Sequence, residues 1–153
     1  MRVIEKEITV SGSPVDVWTA WTTNDGVRSF FAPDSVVELA VGGKYEIYFN
    51  STMPYGGKGS EGCKVLTFAP GKNFSFSWNA PPAIPLLRAS GEYTRVDLEF
   101  KPVGAGTNVS LRHTIEKEGE DWVKYYDYFM RAWDVVLGRL QLYFVSGPID
   151  WNS

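Results

Sequence analysis

The stretch Glu120–Phe144, EDWVKYYDYFMRAWDVVLGRLQLYF, decides the fold of this 153-residue chain. Apolar side chains fall at Trp122, Tyr126, Phe129, Trp133, Val136, Leu140 and Phe144. Steps of three and four residues place them on one continuous stripe of an α-helix. Glu116, Glu118, Glu120 and Asp121 gather at its start, where the helix dipole favours negative charge. Gly147-Pro148 supplies the stop expected after a C-terminus. A helix of about 25 residues is roughly 38 Å long, enough to cross a whole sheet. Gly138, inside it, reads as a point of close packing, a bend or a plain weak spot.

Upstream, the periodicity changes to two. Val3–Val10 is rich in β-branched residues and reads as a strand. Ser13 is a good N-cap, Pro14 suits the first helical position, and Asp16 completes a capping box. A short helix, Pro14–Thr22, follows; Asn24-Asp25-Gly26 interrupts it, and a second helical turn leads to Phe30 and Phe31 before Pro33. Val36–Val41 and Lys44–Asn50 read as a hairpin around Gly42-Gly43. After a Gly-rich loop, Ser51–Ser60, strands are expected at Glu61–Phe68, Asn73–Asn79, Glu92–Lys101 and Thr107–Ile115. Asn79–Ser90, with three prolines, reads as a loop.

Strand parity assigns faces. Tyr45, Ile47 and Phe49 share one side of their strand, with Glu46 opposite; Phe74, Phe76 and Trp78 share a side of theirs. Val109, Leu111 and His113 share another, while Glu46, Asp97 and Glu99 fall on the solvent side. The order strand, two short helices, six strands, long helix defines an α+β helix-grip fold. Residues 1–153 form a single domain: a curved antiparallel β-sheet of about six to seven strands wrapped around the C-terminal helix. A half-buried antiparallel sheet needs its apolar face covered, and only this helix is long enough. A cylinder laid on a twisted, concave sheet leaves room for a cavity. Its expected lining comes from Phe30 and Phe31, from Tyr45, Ile47, Phe49, Phe76, Trp78, Leu111 and His113 on the strands, and from Trp122, Tyr126, Phe129 and Trp133 on the helix.

Composition narrows the function. Aromatic residues make up 15% of the chain, a large supply of flat surface for a core or pocket. A net charge of −3 with no basic run argues against nucleic acid, which needs clustered Lys and Arg. No apolar run approaches the roughly 18 residues that span a bilayer. The charged start, Met1-Arg2-Val3-Ile4-Glu5-Lys6-Glu7, is unlike a signal peptide, so a cytoplasmic protein is expected. One Cys and one His leave no disulfide framework and no Cys/His zinc site, and no cofactor is implied.

Five pieces carry a family resemblance: VWTAWTTNDGVRSFFAP (Val17–Pro33), VGGKYEIYF (Val41–Phe49), EGCKVLTFAPGKNFSFSW (Glu61–Trp78), VDLEFKPVGAGTNVSLRHT (Val96–Thr114) and GEDWVKYYDYFMRAWDVVLGRLQLYF (Gly119–Phe144). In this order the chain resembles the SRPBCC superfamily, also called START-like or birch-pollen-allergen-like. Within it the chain is similar to the activator of heat-shock-protein-90 ATPase homologue (AHSA1-like) group. Phe30 stands where that group often has Trp, and Trp21 where Leu is common; both remain apolar. The resemblance implies the helix-grip fold. The eukaryotic co-chaperone of the group engages its partner through a separate N-terminal domain with no counterpart in these residues, so chaperone regulation does not follow from the likeness.

His113 has two readings: a general acid or base beside an apolar pocket, or a core histidine satisfied by one partner. The resemblance favours the core, since a similar LRH sequence recurs there in members without an assigned activity. Cys63, with no second Cys, reads as a small hydrophobe. No catalytic residue is assigned, and the sequence points away from an enzyme without excluding one. The expected function is binding of a small hydrophobic molecule, aromatic or lipid-like, in the cavity. The alternatives are a polyketide cyclase- or aromatase-like enzyme and a chaperone-regulating or stress-response interaction protein. A homodimer and a chaperone stay open as protein partners.

Overall fold

The computed structural model describes residues 1–152. Strand β1 (Arg2–Val10) leads into α1 (Pro14–Thr22) and α2 (Asn24–Phe30). Then come β2 (Asp34–Val37), β3 (Tyr45–Tyr48), β4 (Val65–Ala69), β5 (Asn73–Trp78), α3 (Pro85–Ser90), β6 (Thr94–Val103), β7 (Gly106–Ile115) and α4 (Glu120–Ser146). Five strands form one antiparallel sheet in the order β1-β7-β6-β5-β4, and β2 pairs with β3. Isolated bridges, Lys44↔Lys64 and Tyr48↔Gly59, continue the curve from β4 round to β3. The helix-grip architecture is thus the observed one, with its seven strands divided five and two.

Local chemistry explains the elements. Ser13 Oγ accepts the Asp16 N–H at 3.2 Å, with Pro14 in the first turn of α1. The expected break at Asn24-Asp25-Gly26 is instead the first turn of α2, capped by Thr23, whose hydroxyl accepts the Gly26 N–H at 3.0 Å. Gly26 is there for closeness: a Cβ would lie 2.5 Å from the Ala20 backbone, so the bare glycine lets α2 press onto α1. The 79–90 segment is also more ordered than its prolines suggest. Pro85 sits in the first turn of α3, where a missing N–H costs nothing, and Gly91 ends the helix at φ +72°.

Registered rows of side chains cross the sheet and fill the space beneath α4. Ile4, His113, Val96, Phe76 and Val65 are consecutive partners from β1 to β4, and all are buried. The next row holds Leu111, Leu98 and Phe74. Trp122, Tyr125, Phe129, Trp133, Val136, Leu137 and Leu140 press down from α4. The expected stripe is correct except at one turn, where Tyr125 rather than Tyr126 is buried and Tyr126 packs half-buried at the edge. Adjacent tyrosines flank the same stripe at 100° apart, so apolarity alone does not choose between them. Phe144 is likewise half-buried.

Glu46 corrects another expectation. It is only 2% exposed, because β3 packs on the core with one face and is covered on the other by the 51–62 segment. Its carboxylate accepts from the Tyr48 and Tyr55 hydroxyls at 2.6 and 2.9 Å and from the Gly62 N–H at 3.0 Å. Such pairing is what allows a carboxylate to be buried.

Gly138 meets neither of its more specific readings: a Cβ added there touches nothing, and α4 runs through it unbroken. Gly138→Ala should therefore raise stability by about 0.5–1 kcal/mol, through helix propensity alone. Urea denaturation of the two proteins checks this; a lower midpoint for the alanine variant would mean that Gly138 does structural work.

Candidate functional site

Two features stand out beneath and beside α4: a polar knot sealed in the core and an aromatic cleft at its margin. The knot centres on His113, fully buried in the sheet. The Trp133 indole Nε1–H points at His113 Nδ1 at 3.0 Å, so Nδ1 is the acceptor. The ring proton therefore sits on Nε2, which donates to Thr94 Oγ1 at 2.7 Å. Thr94 also meets Tyr125 Oη at 2.8 Å and the Trp78 carbonyl at 3.2 Å, and Tyr125 donates to the Asn79 carbonyl at 3.1 Å. Desolvation by burial lowers the His113 pKa to about 3, and burial raises that of the Tyr125 phenol. Both groups are neutral near pH 7, and both have their partners. This is a core histidine that ties β7, β6 and α4 together. Burial also pushes the Cys63 thiol well up, leaving it an inert small hydrophobe.

The cleft has a volume of about 320 Å³. One wall is the α4 surface at Tyr128, Phe129, Ala132, Trp133, Val135, Val136 and Arg139. The other is Phe31, Phe49, Gly59, Trp78, Asn79, Pro81 and Pro82. The aromatic rings interlock: Phe31 stacks with Trp78 at 5.9 Å and 26°, and Trp78 lies 5.4 Å from Trp133. Phe49, Tyr128 and Val135 are substantially exposed and form the mouth. Five expected lining residues meet here: Phe31, Phe49, Trp78, Phe129 and Trp133. The other eight do not. Phe30, Tyr45, Ile47, Phe76 and Leu111 are fully packed core, Trp122 packs on Tyr125, and Tyr126 lies at the core edge. His113 sits behind Trp133 and Phe129, off the cleft wall. The side chains at the centre of the grip are simply large enough to fill it.

Sequence reasoning missed Tyr128, Ala132, Val135, Val136 and Arg139 as lining, together with Pro81 and Pro82. The prolines were legible as stiff loop residues; Tyr128, Ala132, Val135 and Arg139 lie one step off the buried stripe, and Val136 lies on it but reads as core. It also missed the brace behind the mouth. The Glu61 carboxylate accepts the N–H groups of Gly56, Lys58 (2.8 Å) and Gly59 (2.7 Å), and pairs with Arg88 at 3.0 Å. Burial pushes this carboxyl upward, but the converging N–H donors outweigh it and hold its pKa below the usual carboxylate range. Arg88 also donates to the carbonyls of Gly56, Gly59 and Ala80. The brace thereby locks the 51–60 loop to α3. Gly59 is closely fitted here, since a Cβ would collide with the Ile47 carbonyl.

A helix-grip domain with a packed grip and a marginal aromatic cleft is the class defined by this geometry. Residues 11–144 match the family described as "Activator of Hsp90 ATPase homolog 1-like protein", and the chain belongs to that family, within the SRPBCC superfamily. No curated protein matches the chain by sequence. Among solved structures, the Aha1 dimer from Colwellia psychrerythraea is 22% identical, with 96% of this chain and 98% of that chain covered at a TM-score of 0.69. Protein MLL2253 from Mesorhizobium loti is 20% identical over 97% of this chain and all of its own, at 0.76. DynU16, a putative protein in the dynemicin biosynthetic locus, is 14% identical and matches 95% of this chain but 48% of its own, at 0.67. At these identities the likeness is one of fold. No described helix is long and apolar enough to cross a membrane.

His113 has a folded-state pKa below its unfolded value, so its contribution to stability is complete above about pH 6.5 and is lost as pH falls from there toward 3. Between pH 7.5 and 5 that amounts to about 2 kcal/mol; urea midpoints across this range should show the slope, and His113→Gln should flatten it. An equal slope in the variant would assign the effect elsewhere. Arg88→Ala should cost about 2–4 kcal/mol by leaving a buried carboxylate short of its cation. Hydrogen exchange should show the 51–60 amides opening faster; unchanged protection would mean that the N–H cradle alone holds the loop.

Proposed function

We propose that this domain binds a small hydrophobic molecule, aromatic in character, in the cleft between α4 and the 78–82 segment. The observation that carries the reading is the cleft itself: an aromatic hollow of about 320 Å³, within the range of small-molecule sites. Stacked and edge-on rings at Phe31, Trp78, Phe129 and Trp133 suit a flat guest, and the prolines give the opposite wall little freedom to collapse. The reading calls on no reaction. The titratable side chains on the wall are Tyr128 and Arg139, and His113 is spent on its own partners. For protein partners we keep self-association as the arrangement to test, prompted by the dimeric Colwellia neighbour; a monomeric mass by light scattering would remove it.

A neutral naphthalene probe, 2-naphthamide, tests the cleft. Calorimetry should find saturable one-site binding, with a rise in melting temperature that grows with probe concentration. Ala132→Trp, which fills the cleft from the α4 wall, should abolish that binding while the circular dichroism stays that of the parent. Absence of binding to the parent protein, or full binding to the filled variant, would overturn the assignment.

A further inference from the structure

The polar groups on the cleft wall are unevenly spent. The Trp133 indole is committed to His113, and the Asn79 amide donates to the carbonyls of Gly59 and Glu61 at 3.1 and 3.4 Å. The buried Trp78 indole N–H has no partner among the described residues, so it adds a donor and no acceptor. Arg139 is the one cation on the wall, and it forms none of the ion pairs found among the described residues. Glu61 is paired with Arg88, and Asp134 of α4 with Lys6, each at 3.0 Å.

Arg139 is nonetheless held. Its guanidinium lies over the face of Trp151, 5.2 Å from the ring centroid. Trp151 is itself fixed, its indole N–H donating to the Arg28 carbonyl at 2.6 Å, while Ile149 N–H donates to the Ser29 carbonyl at 3.0 Å. The segment after α4 thus folds back on α2 and supports the one cation of an apolar cleft. Stacking on an indole face leaves the in-plane N–H fork of a guanidinium free, and that fork matches a carboxylate.

Resting on the binding reading above, we propose that the guest is an acid: a flat apolar body in the cleft carrying a carboxylate that pairs with Arg139, with Trp151 as the positioning residue for that cation. A carboxylate of this kind is selected over its neutral isostere because it supplies the anion that the wall lacks. Trp151 touches Arg139 and acts through it.

The test compares 2-naphthoate with 2-naphthamide, which share a body and differ in charge. Calorimetry at pH 7.4 should give the parent protein at least tenfold tighter binding of the acid, with the preference shrinking as salt is raised. In Arg139→Gln the acid-to-amide ratio should fall to about one, Arg139→Lys should keep part of it, and Trp151→Leu should reduce it. Equal affinities in the parent protein would overturn the acid preference and leave the cleft reading intact. A preference untouched by Arg139→Gln would overturn the role of Arg139. Failure of both probes to bind the parent would overturn the cleft reading and this one together. Should the arginine variant not fold, the ratio in the parent and its salt dependence still decide the preference, and Ala132→Trp, by removing both affinities, shows that both probes use the cleft.

Discussion

The hydrogen bond from the Trp133 indole to His113 Nδ1 is the constraint on which the rest of the grip depends. Together with the Tyr125–Thr94 contact, it joins α4 to β7 and β6 across a layer that is mostly apolar. An apolar stripe alone fixes a helix's buried face only loosely, because dispersion contacts are non-directional and neighbouring rotations bury similar areas. A directed bond in a dry interior is different: a helix rotated away from it would leave two buried polar groups unpaired. The same knot explains why Tyr125 faces inward, since its hydroxyl completes the set by reaching Thr94 and the Asn79 carbonyl.

Fixing α4 in that rotation also decides where empty space is left. Inside the grip, Phe74, Phe76, Tyr45, Trp21 and Phe30 fill the concavity, with Tyr45 donating to the Trp21 carbonyl at 2.7 Å. With the centre full, the hollow moves to the rim, where α4 passes the end of β5 and the stiff 79–82 segment. Trp133 serves both places at once: its indole N–H is part of the knot and its ring is part of the cleft wall. The position of one cleft wall is in this way fixed by a histidine that never faces the cleft.

This division explains what was legible in the sequence. The long helix, the strand parities and the first-helix cap follow from periodicity and local chemistry, which act over a few residues and leave a direct trace. The element order needed only those and a family resemblance. Parity also picked out inward-facing residues such as Phe76, Leu111 and His113, but facing inward is not the same as facing a void. Whether an inner side chain lines space or fills it depends on the summed volumes of neighbours from five or six elements, which no single segment encodes. Glu46 was misread for a related reason. Alternation marks the face opposite the core, and only the tertiary fold lays the 51–62 segment over it. Arg139 was invisible because an exposed-looking cation on a helix flank has the same signature whether or not an aromatic residue twelve positions later folds back beneath it.

Arg88 and Arg139 differ in how their charges are met. Both are half-buried cations near the same cleft, yet the chain treats them oppositely. Arg88 is given a carboxylate, Glu61, and several carbonyls, so its charge is cancelled within the protein and its role is to hold a loop. Arg139 is given an aromatic face, which steadies a guanidinium without neutralising it. A purely structural cation beside an apolar surface is more cheaply satisfied in the first manner, since an unpaired charge at low exposure keeps part of its desolvation penalty. The second arrangement leaves charge available at a fixed place on the cleft wall, where an anionic guest can meet it.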